Sequence, residues 1–192
     1  MSVRDIPLAA LKDQRTIDQF SCIPLVTSKY PSAVLYDYQL IDDFLHKSAI
    51  KYDADNLMRT RLIVNDDGEI LAFYSLCAGT RRVFKQFRHV YSVPTIGRNT
   101  ALPTIELVWF GVAAKFQNQG IGSEVLKVIL RRVLKTCHNI GACLFVVDSL
   151  YVARNFYLNR GFVDIGQPHK QREDIYLGIS MTEIASMISK VG

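Results

Sequence analysis

The sequence predicts a mixed α and β fold with a central, mostly antiparallel sheet, and three observations predict it. Strand-like runs joined by turns outnumber simple strand–helix–strand units. Helical periodicity is confined to four separate segments. The chain has 192 residues, 49% apolar and 21% charged, which suits a soluble fold with a substantial core and excludes disorder. Residues 1–192 are therefore read as a single domain.

Composition narrows the function classes. No apolar run reaches the roughly 18 to 20 residues that span a bilayer, and the opening MSVRDIPLAALKDQR lacks a signal-peptide core, so no membrane association and a cytoplasmic location are expected. Cys22, Cys77, Cys137 and Cys143 show no CxxC pair and no Cys/His ligand spacing, which predicts reduced thiols and no metal. The net charge of +5 favours an anionic ligand such as a nucleotide cofactor or RNA.

In chain order, residues 1–36 carry mixed signals, with SCIPLVTS as a candidate strand before Pro31. From Asp37 to Tyr52, Leu40, Ile41, Phe44, Leu45 and Ala49 recur at helical spacing. The runs MRTRLIVN and EILAFYSLCAG flank Asp66-Asp67-Gly68, a hairpin turn because Asp-Gly accepts positive φ. Thr80 to Pro103 is a long irregular stretch in which Arg81, Arg82, Lys85, Arg88, His89 and Arg98 alternate with aromatic residues.

A strand, IELVWFGV, then leads through a glycine-bearing loop into a helix over Ile121 to His138. That helix buries Val125, Leu126, Ile129, Leu130 and Val133 and exposes Lys127, Arg131, Lys135 and His138. The strand CLFVVD follows, then a helix from Tyr151 to Arg160 stopped by Gly161, and a strand pair near Phe162 and from Asp174 to Met181. The final TEIASMISKV reads as a helix capped by Thr182, with Ile184, Met187, Ile188 and Val191 facing the sheet or a partner chain, which allows a homodimer.

The chemistry concentrates where Gln117-Asn118-Gln119-Gly120-Ile121-Gly122-Ser123 joins strand to helix. Backbone N–H groups at a helix start, together with the positive end of its dipole, attract an anion. Gly120 and Gly122 admit a phosphate closely, and Ser123 adds a hydroxyl. The loop has neither the GxxxxGK[ST] of a P-loop nor the third glycine of a dinucleotide fold.

Gln117, Gly120 and Gly122 fit a [Q/R]xxGx[G/A] signature, and Ala153 to Phe162, ARNFYLNRGF, fits a downstream A..FY...GF segment. On these motifs the chain resembles the GNAT superfamily of acyl-CoA-dependent N-acyltransferases, over about residues 37–181 in element order. The resemblance implies a twisted sheet splayed between its fourth and fifth strands, with acetyl-CoA as cofactor. Val112 and Ala114 would pair with pantetheine, and Asn118, Gln119, Gly120, Ile121, Gly122 and Ser123, after Gln117, would hold the pyrophosphate. Many members place an asparagine where this chain has Leu150; Ser149 or Asn155 would then take its contact.

The same resemblance implies direct acetyl transfer to a primary amine. Tyr157 is the expected acid for the leaving thiolate. Glu106, fourteen residues before Gly120, is the expected base, with burial beside Trp109 or Phe110 raising its pKa. His89 and His138 are weaker candidates for the base. The expected acceptor is the amine of a small molecule, a peptide N-terminus or a lysine. An aminoacyl-tRNA is the alternative, because the DDFL helix, FYSLCAG and ARNFYLNRGF resemble the tRNA-acetylating toxin branch. That branch carries an arginine where this chain has Trp109 and a DCG turn where it has SCI. A non-catalytic CoA-binding module is the remaining alternative.

Overall fold

The structure is a computed structural model that describes residues 3–11, 13, 15–83, 101–166 and 175–189. Its strands are β1 (Val3–Pro7), β2 (Arg59–Asn65), β3 (Ile70–Arg81), β4 (Leu102–Val112), β5 (Leu144–Ser149), β6 (Val163–Asp164) and β7 (Ile175–Ser180). They form one seven-stranded sheet in the order β1-β2-β3-β4-β5-β7-β6. The chain divides into two compact units, Met1–Cys77 with Val108–Lys127, and Ala78–Leu107 with Val128–Gly192.

In the first unit, β1, β2 and β3 pair antiparallel, with a register shift in β2 between Ile63 and Val64. The predicted hairpin turn is present: the Asn65 amide donates to the Glu69 carbonyl at 3.0 Å, with Gly68 at φ +82°. The helix expected from Asp37 begins at Ser32, because Pro31 presets the backbone and its carbonyl accepts from the Val34 and Leu35 amides. It runs through a wider π-type turn, Phe44–Ser48, into Ala49–Ala54 and buries Phe44, Leu45 and Ala49.

SCIPLVTS is not a strand. The backbone at Ser21 and Cys22 bonds to a side chain and to a loop instead of to a ladder, and Pro24 lacks an N–H to donate. Aromatic packing fills the core of this unit. Phe20 meets Phe73 edge-on at 5.3 Å, and Phe44 stacks on Trp109 at 4.6 Å. Gly111 is required here because a Cβ would stand 2.9 Å from Phe73 Cε1.

In the second unit, β4 pairs parallel to β5 from Thr104↔Leu144 to Leu107↔Val147, although β4 runs on to Val112 and β5 to Ser149. β7 lies antiparallel to both β5 and β6. A helix spans Ile121–Cys137 with Val125, Leu126, Ile129, Leu130 and Val133 buried, as the periodicity predicts. The next helix, Arg154–Leu158, follows a tight turn at Tyr151–Ala153, and Gly161 beyond its end has φ +84°.

The last helix is Met181–Ser189, and its cap is Ser180 rather than Thr182. Ser180 Oγ accepts the Glu183 amide at 3.2 Å while the Glu183 carboxylate accepts the Ser180 amide at 3.2 Å, a reciprocal capping box. Ile184 on this helix is fully buried. Lys85, Arg88, His89, Arg98, Asp174 and Val191 lie outside the described residues. Among the described residues no helix is long and apolar enough to cross a membrane.

Candidate active site

After β4 the chain makes a tight turn at Ala114–Phe116 and enters the loop at Gln117. Asn118 at φ 59° and Gly120 at φ 83° are both left-handed. A Cβ at Gly120 would meet nothing within 4 Å, so its backbone conformation, not space, calls for glycine. The Ser123 and Glu124 amides both return to the Gly120 carbonyl, at 2.9 and 3.2 Å. Ser123 thus makes the first bond of the helix, and the Ile121 and Gly122 amides come ahead of it.

Gln117 serves this loop from within. Its Nε2 donates to the Val112 carbonyl at 3.0 Å and to the Cys22 carbonyl at 2.6 Å, which commits both of its protons. Ala114 is also engaged: its amide donates to the Ser21 carbonyl at 2.8 Å, and its carbonyl accepts the Gln117 amide at 3.3 Å. On its other side the Ser21–Cys22 turn meets Asp42, which accepts the Ser21 hydroxyl at 2.6 Å and the Cys22 amide at 2.8 Å. Sequence reasoning passed over Asp42. Its signal was an acid sharing a helix face with Leu45 and Ala49, three and seven residues on.

In the second unit, Glu106 is held on both oxygens. Arg81 donates Nε to Oε1 at 2.9 Å and Nη2 to Oε2 at 2.5 Å, and Thr104 Oγ1 donates to Oε1 at 2.9 Å. The carboxylate lies over Gly79, where any Cβ would overlap it. Arg81 is itself stacked 4.5 Å from the Tyr176 ring centre. Burial works against the charged guanidinium, but the bonds to Glu106 prevail and hold its pKa above the ordinary arginine value. Glu106 is thus surrounded by Arg81, Thr104 and Gly79, while Trp109 stacks on Phe44.

Tyr157 is buried among aromatic rings, edge-on to Phe156 at 5.0 Å and to Phe162 at 5.4 Å. Burial raises its pKa far above the ordinary phenol value, so the hydroxyl keeps its proton throughout the neutral range. Asn155 is exposed on the same short helix. Ser149 is buried and donates its hydroxyl to the Leu150 carbonyl at 3.0 Å. His138 is exposed at the end of its helix. Among the described residues no group of three or more His, Cys, Asp or Glu is placed to hold a metal.

The sequence model of the Acetyltransferase (GNAT) family matches residues 27–162. The chain belongs to the GNAT acetyltransferase family. Like other GNAT proteins it is an acyltransferase that uses acetyl-CoA. It is 28% identical over 125 residues, 64% of this chain and 71% of the relative, to a tRNA-acetylating toxin of Mycobacterium tuberculosis.

Two solved structures are also similar to this GNAT chain. AtaT complexed with acetyl-methionyl-tRNAfMet has a TM-score of 0.71 and 15% identity and covers 97% of this chain and 99% of that one. A tyrosine-to-phenylalanine mutant of the toxin AtaT, bound to the C-terminus of the antitoxin AtaR and to acetyl-CoA, has a TM-score of 0.69 and 15% identity. It covers 98% of this chain and 99% of its own. In the loop of this chain two left-handed residues precede helix-start amides that stand ahead of the first helical bond, an arrangement that attracts an anion.

Proposed function

We propose that this GNAT enzyme acetylates the amine of an aminoacyl-tRNA. The observation that carries the proposal is its 28% identity to a tRNA-acetylating toxin over 125 residues. The net charge of +5 and the exposed Arg131, Lys135 and His138 along one helix suit a polyanionic acceptor. A second reading, transfer to the amine of a small molecule, a peptide N-terminus or a lysine, is favoured by Trp109. Its ring is stacked on Phe44 at the position where the toxin branch carries an arginine.

In either reading, the loop amides from Asn118 to Gly122 hold the diphosphate, the Ser123 amide being returned to the Gly120 carbonyl, while Val112 and Ala114 flank the pantetheine at the end of β4. Asn155 is the candidate for a further polar contact. Bound acetyl-CoA supplies a thioester carbonyl that accepts the amine. Tyr157 holds a proton at Oη for the departing sulfur, and its raised pKa fits a donor rather than a base. Three of the four acceptor positions on Glu106 are filled by Arg81 and Thr104, which leaves one on Oε2 for a water that relays the amine's proton.

A thiol-release assay with acetyl-CoA, run against charged tRNA, peptides and small amines, tests this. Charged tRNA is expected to be the acetylated acceptor, with Tyr157→Phe lowering turnover by about 100-fold or more. Glu106→Gln is expected to lower turnover, because the amide cannot accept the relayed proton. Turnover with peptides or small amines alone selects the second reading. Full activity in Tyr157→Phe removes the acid assignment, and full activity in Glu106→Gln removes the base.

A further inference from the structure

We infer that Asp42 is a positioning residue for acetyl-CoA, acting through the Ser21–Cys22 turn on the loop that follows β4. Asp42 is only 2% exposed, on the inward face of its helix. Its carboxylate accepts the Ser21 hydroxyl at Oδ2 and the Cys22 amide at Oδ1, at 2.6 and 2.8 Å. The same two turn residues use their carbonyls in the other direction: Ser21 accepts the Ala114 amide at 2.8 Å, and Cys22 accepts Gln117 Nε2 at 2.6 Å. Donors of the turn are thus fixed by Asp42, and its acceptors fix the loop.

Two further contacts brace the turn. His46 Nε2 donates to the Phe20 carbonyl at 2.9 Å, and the Ile23 amide donates to Ser21 Oγ at 3.2 Å. Gln117 carries the constraint onward, since its other proton is held by the Val112 carbonyl at the end of β4. Ser21 and Cys22, the partners of Asp42, are neutral donors, and among the described residues no cation forms an ion pair with it. A buried carboxylate costs more than the leucine that this helix face would otherwise hold. Its return is geometric: it is the group that keeps Ser21 and Cys22 oriented toward Ala114 and Gln117.

The inference rests on the reading of residues 117–123 as the diphosphate loop. It is tested by titrating the full chain with acetyl-CoA, far below its melting temperature. Asp42→Ala is expected to raise the Kd for acetyl-CoA about tenfold. Asp42→Asn recovers affinity to within about twofold, because its Oδ1 can face the Cys22 amide while Nδ2 donates to Ser21 Oγ. The double variant Asp42→Ala with Gln117→Ala binds no more weakly than the weaker single variant, since both act through one turn.

Should Asp42→Ala not fold, Ser21→Ala removes one of the carboxylate's bonds and is expected to raise Kd about threefold. A lowered melting temperature with an unchanged Kd in either variant overturns the inference. So does a double variant whose losses simply multiply. Gly120→Ala separates the two readings. If it weakens acetyl-CoA binding while Asp42→Ala and Ser21→Ala do not, the Asp42 role alone fails. If all three leave Kd unchanged, the diphosphate loop fails as well.

Discussion

Tyr157 is buried with its ring against Phe156 and Phe162, and that burial has a consequence for stability as well as for chemistry. Its pKa is raised in the folded chain, so above about pH 10 the unfolded chain loses the proton first. The unfolded state then binds fewer protons than the native one, and stability falls as pH rises through that window. Urea unfolding from pH 8 to 11 is expected to show this loss in the parent protein and a shallower one in Tyr157→Phe. Identical slopes would place the hydroxyl in solvent. Gln117, Gly120 and Tyr157 stand out as candidates in the sequence because each belongs to a local motif. The partners of Glu106 and Asp42 do not: Arg81 stands 25 residues from Glu106, and Cys22 stands 20 from Asp42. Only the folded backbone brings such groups within bonding distance.

At the scale of elements, periodicity located the helices over Ile121–Cys137 and Met181–Ser189, and the Asp-Gly turn located the hairpin of β2 and β3. Element ends were less legible. Thr182 and Ser180 are both plausible caps by residue type, but Ser180 has a glutamate three residues later, and the reciprocal pair decides. Ser180→Ala is therefore expected to cost about 1 kcal/mol, while Thr182→Ala stays within about 0.5 kcal/mol. Chemical denaturation of both variants checks this, and equal losses would return the cap to Thr182. SCIPLVTS was misread for a related reason. Its apolar residues look strand-like, but its backbone groups are taken by Asp42, Ala114 and Gln117, which no local pattern announces.

At the scale of the whole molecule, the sheet is mostly antiparallel, as expected, with β4 and β5 as its parallel pair, and the solved structures match this fold over 97 to 98% of the chain. That breadth shows a shared fold, while the acceptor is decided by side chains that fold similarity does not report. The join between β7 and the last helix has a consequence of its own. Ser180 ends the strand and Met181 begins the helix, with no residue between them to act as a hinge. The Met181 amide also donates to the Cys143 carbonyl at 3.1 Å, next to β5. This terminal helix cannot swing away by itself; it opens when β7 leaves its neighbours. Its amides should exchange with deuterium on the same timescale as those of Ile175–Ser180, unlike a helix that frays at a chain end. Exchange faster by orders of magnitude would show a hidden joint at Ser180.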